Sequence, residues 1–102
     1  MKTFEECQLH PEYCTIKRST IESINNYIEH GWEPGSFVSA VLANNLMESM
    51  GCADLENRLT IFAICSYVHN EIPGLAHGSY ERIEEYRNNL LKMKQGTGES
   101  LK

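Results

Sequence analysis

The chain has 102 residues, enough for one hydrophobic core and too few for two. Its 41% hydrophobic residues exclude a disordered chain, and its net charge of −5, with only nine scattered lysine and arginine residues, argues against a general nucleic-acid binder. No apolar stretch has the length of a signal peptide or a membrane span, so we expect a soluble protein that stays in the cytoplasm and has no membrane contact.

The first predicted helix spans residues 19–30. Residues 1–17 show no hydrophobic period, which predicts an N-terminal arm with one short helical turn. Ser19 and Glu22 have the spacing of a capping box, in which the hydroxyl and the carboxylate each accept a backbone amide. Three isoleucines at i, i+3 and i+7 then form one apolar stripe. Gly31 is expected to end the helix in a left-handed conformation.

The second predicted helix, 37–50, is apolar around most of its circumference. A helix of this kind has more than one face to bury, so we expect it both to be central in the domain and to be shared with a subunit interface. Asn44 and Asn45 stand in its middle, although asparagine is a poor helix former. One of them is expected to fix the register of an oligomer or to line a pocket. The apolar positions are Phe37, Val38, Ala40, Val41, Leu42, Ala43, Leu46, Met47 and Met50.

The third predicted helix begins after an N-cap at Asp54 and reaches about Asn70. Residues 59–68 are also rich in strand formers, so a strand is the alternative there. The run does not alternate between apolar and polar residues, which favours the helix. The longest internal loop, 70–78, follows with a Pro-Gly turn signal, and loops of this kind often carry binding residues.

The fourth predicted helix follows a cap at Gly78 or Ser79 and is amphipathic, with apolar residues at i, i+3, i+7 and i+10. It is expected to end near residue 95, before a glycine-containing stretch typical of a flexible tail. The sequence therefore predicts an all-α fold, a small bundle of four amphipathic helices. An N-terminal arm (1–17) precedes a single helical domain (18–95), and a flexible tail (96–102) follows it.

Two groups of residues have spacings that catalysis or metal binding can use. Cys7, His10 and Cys14 lie within eight residues, but a structural zinc site needs a fourth ligand at a paired spacing, and none follows. Cys65 and His69 are separated by four residues, yet apolar neighbours flank the cysteine, and packing is its commoner role. No phosphate-binding glycine loop or nucleophile elbow is present. We predict reduced cysteines, no metal, no cofactor and no enzymatic activity.

Polar and aromatic residues gather at the predicted helix junctions. Helix N-termini offer free amides and partial positive charge, by which an acidic protein can hold a small anion without a basic patch. Trp32 or Tyr80 is placed to stack on a base. The alternative is that these residues are only caps and turn formers. The predicted ligand-binding residues are Tyr27, His30, Trp32, Gly35, Ser36, Asn44, Asn45, Asp54, Asn57, His77 and Ser79.

A spaced set of residues between positions 24 and 80 resembles a known pattern. The set is Tyr27-Ile28-Glu29-His30-Gly31, Pro34-Gly35-Ser36-Phe37, Ala40-Val41-Leu42, Asn44-Asn45-Leu46, Ala53-Asp54 with Asn57, and Tyr67 with Asn70, Pro73 and Gly78-Ser79. It resembles a family of short, largely uncharacterised proteins encoded by tailed phages and prophages. Where this chain has Asn45, Cys52, His77 and Tyr80, the family more often has aspartate, arginine, tryptophan and proline.

The resemblance implies a phage protein made in the bacterial cytoplasm, where small non-enzymatic phage products divert host machinery. The leading interpretation is a homo-oligomeric binding protein with a counter-defence role. It would capture a small nucleotide-like anionic signal in a pocket of helix N-termini and the 73–79 loop. One alternative is an adaptor or inhibitor that binds a host or phage protein through the apolar face of the second helix. A further alternative is an accessory protein with no ligand.

Overall fold

The computed structural model describes residues 1–100, with side chains as far as Met93. This part of the chain is helical and contains no strand, which confirms the all-α class. It has seven α-helices, so the predicted four-helix bundle is wrong. A 3₁₀ turn, Gly74–Ala76, lies between the last two helices. The helices are α1 (Phe4–Gln8), α2 (Arg18–His30), α3 (Ser36–Leu42), α4 (Leu46–Cys52), α5 (Leu55–Leu59), α6 (Ile61–Glu71) and α7 (Tyr80–Ser100).

Helix α2 matches the first predicted helix, but its start is built differently. Its N-cap is Lys17, and no side chain caps it, while Ser19 stays exposed. A capping box lies instead before α1. There the Thr3 hydroxyl accepts the amide of Glu6 at 3.2 Å, and the Glu6 carboxylate accepts the amide of Thr3 at 3.0 Å. The C-terminus is as predicted, because Gly31 ends the helix with φ of 72°.

The second predicted helix is two helices, α3 and α4. Asn44 adopts φ of 62°, a left-handed conformation that asparagine tolerates better than most residues, and it stops α3. Asn45 then starts α4 by accepting the amide of Glu48 at 3.3 Å. Leu46 and Met47 are turned into solvent as a result, with 59% and 81% of their surface exposed. The expectation of a helix buried around most of its circumference therefore agrees with α3, in which four of seven residues are buried, and is wrong for α4.

The third predicted helix is also divided, at Thr60. Its N-cap is confirmed, since Asp54 accepts the amide of Asn57 at 2.9 Å. Thr60 leaves helical geometry with φ of −116°, and its hydroxyl donates to the carbonyl of Glu56 at 2.8 Å. Helix α6 covers most of the segment for which a strand was the alternative, so the helical interpretation of 61–68 is confirmed.

Residues 1–17, predicted to be an N-terminal arm, contribute three side chains to the core. Cys7, Tyr13 and Ile16 are buried. The ring of Tyr13 packs edge-on against that of Tyr67 of α6, with centroids 5.3 Å apart. Side chains of α2 complete this core, and Ile24 is buried among them. The sequence shows no hydrophobic period in residues 1–17, because contacts with residues distant in the chain hold this segment in place.

Helix α7 is capped as predicted, because the Ser79 hydroxyl accepts the amide of Arg82 at 3.1 Å. The backbone of α7 is helical as far as Ser100, so the predicted end of this helix near residue 95 is wrong. Residues 101–102 of the predicted tail, 96–102, lie outside the described part of the chain. Its flexibility stays a prediction. Within the described residues, no helix combines the length and the hydrophobicity that crossing a membrane requires.

Candidate functional site

A cavity of about 380 Å³ opens between the end of α3, one face of α6 and the turn that precedes α7. We call it the histidine cavity. Apolar side chains form part of its wall, and imidazole, guanidinium, amide and thiol groups form the rest. The lining residues are Val41, Leu42, Asn44, Cys65, Val68, His69, His77, Gly78 and Arg82.

The end of α3 and the turn before α7 position the wall of the histidine cavity. Because α3 stops at Asn44, the carbonyl of Leu42 is available to accept the amide of Gly78 at 2.6 Å, which ties the turn before α7 to the end of α3. Gly78 has φ of 121°, and a Cβ at this position would lie 3.0 Å from the Arg82 guanidinium. Glycine therefore permits Arg82 to lie against the turn.

The lining of the histidine cavity includes one permanent positive charge, the guanidinium of Arg82. The Arg82 guanidinium donates to the carbonyls of Gly74 at 3.4 Å and His77 at 3.3 Å. No carboxylate among the described residues lies within ion-pair distance of it. Burial lowers the pKa of His77, and the nearby charges of His69 and Arg82 lower it further, against a hydrogen bond to the carbonyl of Ile72 that raises it.

The chemistry of Cys65 does not favour nucleophilic catalysis. Although Cys65 is exposed, partial desolvation by the residues around it raises the pKa of its thiol, so the thiol stays protonated at neutral pH and is a weak nucleophile. Among the residues that the structure describes, no three histidine, cysteine or acidic side chains are arranged to hold a metal ion. At the N-terminus, Cys7 is buried and Cys14 exposed, while the ring of His10 stacks on Tyr13.

A second cavity, of about 340 Å³, brings together four predicted ligand-binding residues from two different junctions. Gly35 and Ser36 come from the start of α3, and Asp54 and Asn57 come from the start of α5. We call it the serine cavity. Its lining residues are Lys17, Ser19, Thr20, Ser23, Gly35, Ser36, Phe37, Val38, Cys52, Asp54 and Asn57.

An ion pair lies at the edge of the serine cavity. The ammonium of Lys17 contacts the carboxylate of Asp54. This hydrogen bond is the main reason that the pKa of Asp54 is lowered, and the amide of Asn57 lowers it further. The same contact raises the pKa of Lys17. The two charges therefore neutralise each other in the free protein.

The remaining predicted residues divide between core, caps and surface. Tyr27 is buried, and its hydroxyl donates to the carbonyl of Ala76 at 2.8 Å, so its role is structural. The rings of His30 and Trp32 pack at 4.9 Å beside the end of α2. Asn45 and Ser79 are caps, and the Asn45 amide also donates to the Tyr80 hydroxyl at 3.3 Å.

The predicted set is therefore split: Asn44 and His77 reach the histidine cavity, and four other residues reach the serine cavity. Neither aromatic residue that was predicted to stack on a base lines the histidine cavity. Sequence reasoning did not include His69 and Arg82 among the candidate residues, although both line the histidine cavity. His69 was visible through its spacing to Cys65, whereas Arg82 has the pattern of an ordinary solvated charge on an amphipathic helix.

Comparisons with known protein families, with curated proteins and with solved structures found no match to this chain. The resemblance to short phage and prophage proteins therefore stays a prediction from the residue pattern. Function is inferred below from the side chains that the fold brings together.

Proposed function

We propose that the protein binds a small nucleotide-like anion in the histidine cavity. The observation that carries this proposal is the Arg82 guanidinium, which has no carboxylate partner among the described residues although the chain has 14 acidic and nine basic residues. It lies in a cavity with the imidazoles of His69 and His77. A guanidinium is the side chain best suited to grip a phosphate or carboxylate with two hydrogen bonds.

The other walls of the cavity suit an anion that also has an apolar part. Val41 and Val68 supply hydrocarbon surface, and the Asn44 side chain, which has no hydrogen bond to another described residue, supplies an amide. A volume of about 380 Å³ lies in the range of small-ligand pockets, which spans roughly 300 to 1,000 Å³. Protonation of either imidazole would add positive charge directly beside the bound anion.

The proposed activity is capture without chemical turnover. The neutral Cys65 thiol offers no activated nucleophile, so binding itself would be the function. In keeping with the resemblance to phage proteins, we propose that capture removes an anionic signal from the cytoplasm of a bacterial host. This role in counter-defence rests on the resemblance, and the anion site rests on the cavity.

The test is a thermal-shift titration of the full chain with adenosine monophosphate and with cyclic dinucleotides. A ligand at 100 times its Kd should stabilise the fold by about 2.7 kcal/mol. The stabilisation should grow as the pH falls through the lowered pKa of His77, because a bound anion favours the protonated form of that imidazole.

The matched variants are Arg82→Met and Arg58→Met, since Arg58 is exposed on α5 and outside the cavity. We expect Arg82→Met, and also His69→Gln, to weaken binding about tenfold or more, and Arg58→Met to leave it unchanged. The proposal is wrong if no nucleotide shifts the transition, or if the two arginine variants bind equally well.

A second candidate function is self-association, and it is supported by an apolar stripe on the surface. Leu55 and Leu59 of α5 and Phe62 of α6 lie on either side of the break at Thr60, and they are 69%, 76% and 83% exposed. We call these three side chains the apolar stripe. Exposed apolar surface of this kind marks contact sites in soluble proteins. We propose a second copy of the chain as the occupant, because a twofold contact covers the same stripe on both copies at once. A host or phage protein on this stripe is the alternative.

A further inference from the structure

The turn that precedes α7 holds one end of the Arg82 guanidinium. The Nη1 of Arg82 donates to the carbonyl of Gly74 at 3.4 Å and to the carbonyl of His77 at 3.3 Å. A terminal guanidinium nitrogen carries two hydrogens, so these two contacts use both hydrogens of Nη1. The Nε and Nη2 of Arg82 have no hydrogen bond to another residue that the structure describes. The edge formed by Nε and Nη2 is therefore the edge that remains for a ligand.

Gly78 makes this placement of Arg82 possible. A Cβ at residue 78 would lie 3.0 Å from the Nη1 and 3.3 Å from the Cδ of Arg82, which is tighter than ordinary van der Waals contact. The amide of Gly78 donates to the carbonyl of Leu42 at 2.6 Å, so the backbone of the turn is itself tied to the end of α3. Because the backbone is tied, the Arg82 side chain is the part that an added methyl group would displace.

The free edge of Arg82 defines the chemical group that it can bind. Its Nε–H and one Nη2–H are parallel donors, and such a fork matches two oxygens of one phosphate or carboxylate group. The lining residues of the histidine cavity include no carboxylate that would compete for these donors. Resting on the function proposed above, we infer that Arg82 binds two oxygens of one such group side-on, and that Gly78 is the positioning residue that keeps this edge free. A side chain that is already held loses less conformational freedom on binding.

The first test needs no ligand, because it follows the Nε–H signal of Arg82 by NMR in the ¹⁵N-labelled full chain. Gly78→Ala should shift this signal, since the methyl group displaces the guanidinium from the two carbonyls. Gly74→Ala is the matched control in the same turn, because a Cβ at Gly74 meets nothing within 4 Å, and it should leave the signal in place. An unchanged signal in Gly78→Ala would overturn the role of Gly78.

The second test is a double-mutant cycle on the binding of adenosine monophosphate, measured by calorimetry. Gly78→Ala should weaken binding about two- to tenfold when Arg82 is present. It should have no further effect in the Arg82→Met background, because Gly78 acts through the guanidinium. A glycine that only supported the fold would weaken binding in both backgrounds. The same loss in both backgrounds therefore overturns the inference.

Arg82→Lys covers the case in which Gly78→Ala does not fold. This variant keeps the positive charge and leaves Gly78 unaltered, but an ammonium group has no fork of parallel donors. We expect adenosine monophosphate to bind about tenfold more weakly, and equally tight binding would overturn the side-on contact. If the unaltered chain binds no adenosine monophosphate, the proposed function fails, whereas the Nε–H signal still decides whether Gly78 positions Arg82.

Discussion

Two regions of the molecule treat aromatic and apolar side chains in opposite ways. The tyrosine core, formed by Tyr13, Tyr27 and Tyr67, buries three phenols, whereas the apolar stripe of Leu55, Leu59 and Phe62 leaves pure hydrocarbon in solvent. Hydrophobicity alone predicts that the leucines and the phenylalanine are buried and that the tyrosines are exposed. The difference teaches that the buried tyrosines lie where polar atoms distant in the sequence meet their hydroxyls, and that the apolar stripe is left exposed by the described residues.

Each phenol of the tyrosine core meets a polar atom distant in the sequence. The Tyr67 hydroxyl lies 2.7 Å from the side-chain oxygen of Asn25 and 2.8 Å from the carbonyl of Lys2. The Tyr13 hydroxyl donates to Glu71 at 3.3 Å. Burial raises the pKa of Tyr67 to about 12, so its hydroxyl stays protonated and able to donate at neutral pH. These contacts join the N-terminal segment, α2 and α6.

The largest expected effect comes from removing one phenol. Tyr27→Ala should lower the free energy of unfolding by about 3–5 kcal/mol, the range found for aromatic-to-alanine changes in cores. Phe62→Ala is the control and, at a protein concentration low enough to keep the chain monomeric, should change it by less than about 0.5 kcal/mol, because the ring is exposed. Urea unfolding measures both. Equal losses would show that the stripe is buried in solution, and the comparison of the two regions would then fail.

A smaller effect is expected on association. If a second copy covers the apolar stripe, light scattering should show a mass that rises with protein concentration. Phe62→Lys should weaken that association about tenfold or more, because a charge replaces a buried aromatic anchor. Leu9→Lys is the control, since Leu9 is equally exposed but lies after α1. A mass that stays at 11.6 kDa at every concentration would contradict self-association.

The smallest expected effect concerns the break that turns α4 away from α3. Asn44→Ala should destabilise the fold by about 1–2 kcal/mol, since a residue with a Cβ and no local polar group is strained at positive φ. Asn44→Gly should be nearly neutral. Asn88→Ala, in the exposed part of α7, should be neutral or slightly stabilising. Thermal unfolding measures all three, and an Asn44→Ala variant as stable as Asn44→Gly would show that strain at this residue is unimportant.

Much of the helical architecture could be predicted from local signals. The isoleucine spacing and Gly31 located α2, and Asp54 and Ser79 were correctly identified as caps. The breaks at Asn44 and Thr60 could not be predicted, because the apolar pattern continues through both positions. At these two positions the backbone preference of a single residue ends the helix, although the helical repeat of apolar residues continues. The burial of the N-terminal segment depends on contacts with α2 and α6, which no local pattern encodes.

The candidate sites were predicted in fragments. The loop before α7 supplied His77, and the asparagine pair supplied Asn44, but only the fold shows that these residues share a cavity with His69 and Arg82. The junction residues Gly35, Ser36, Asp54 and Asn57 were predicted as ligand-binding, and the structure places them in one cavity. Which of many polar residues meet is set by how short helices pack, and sequence spacing does not contain that information.

The hydrogen bond from the Gly78 amide to the Leu42 carbonyl has a consequence for how the protein folds. In an uninterrupted helix the Leu42 carbonyl would accept a hydrogen bond from an amide of the same helix, and the segment would fold without the loop before α7. Here it is satisfied only after a loop far along the chain has arrived. We therefore expect the histidine cavity to form late in folding, so that partially folded molecules lack it even when most of their helices are already present.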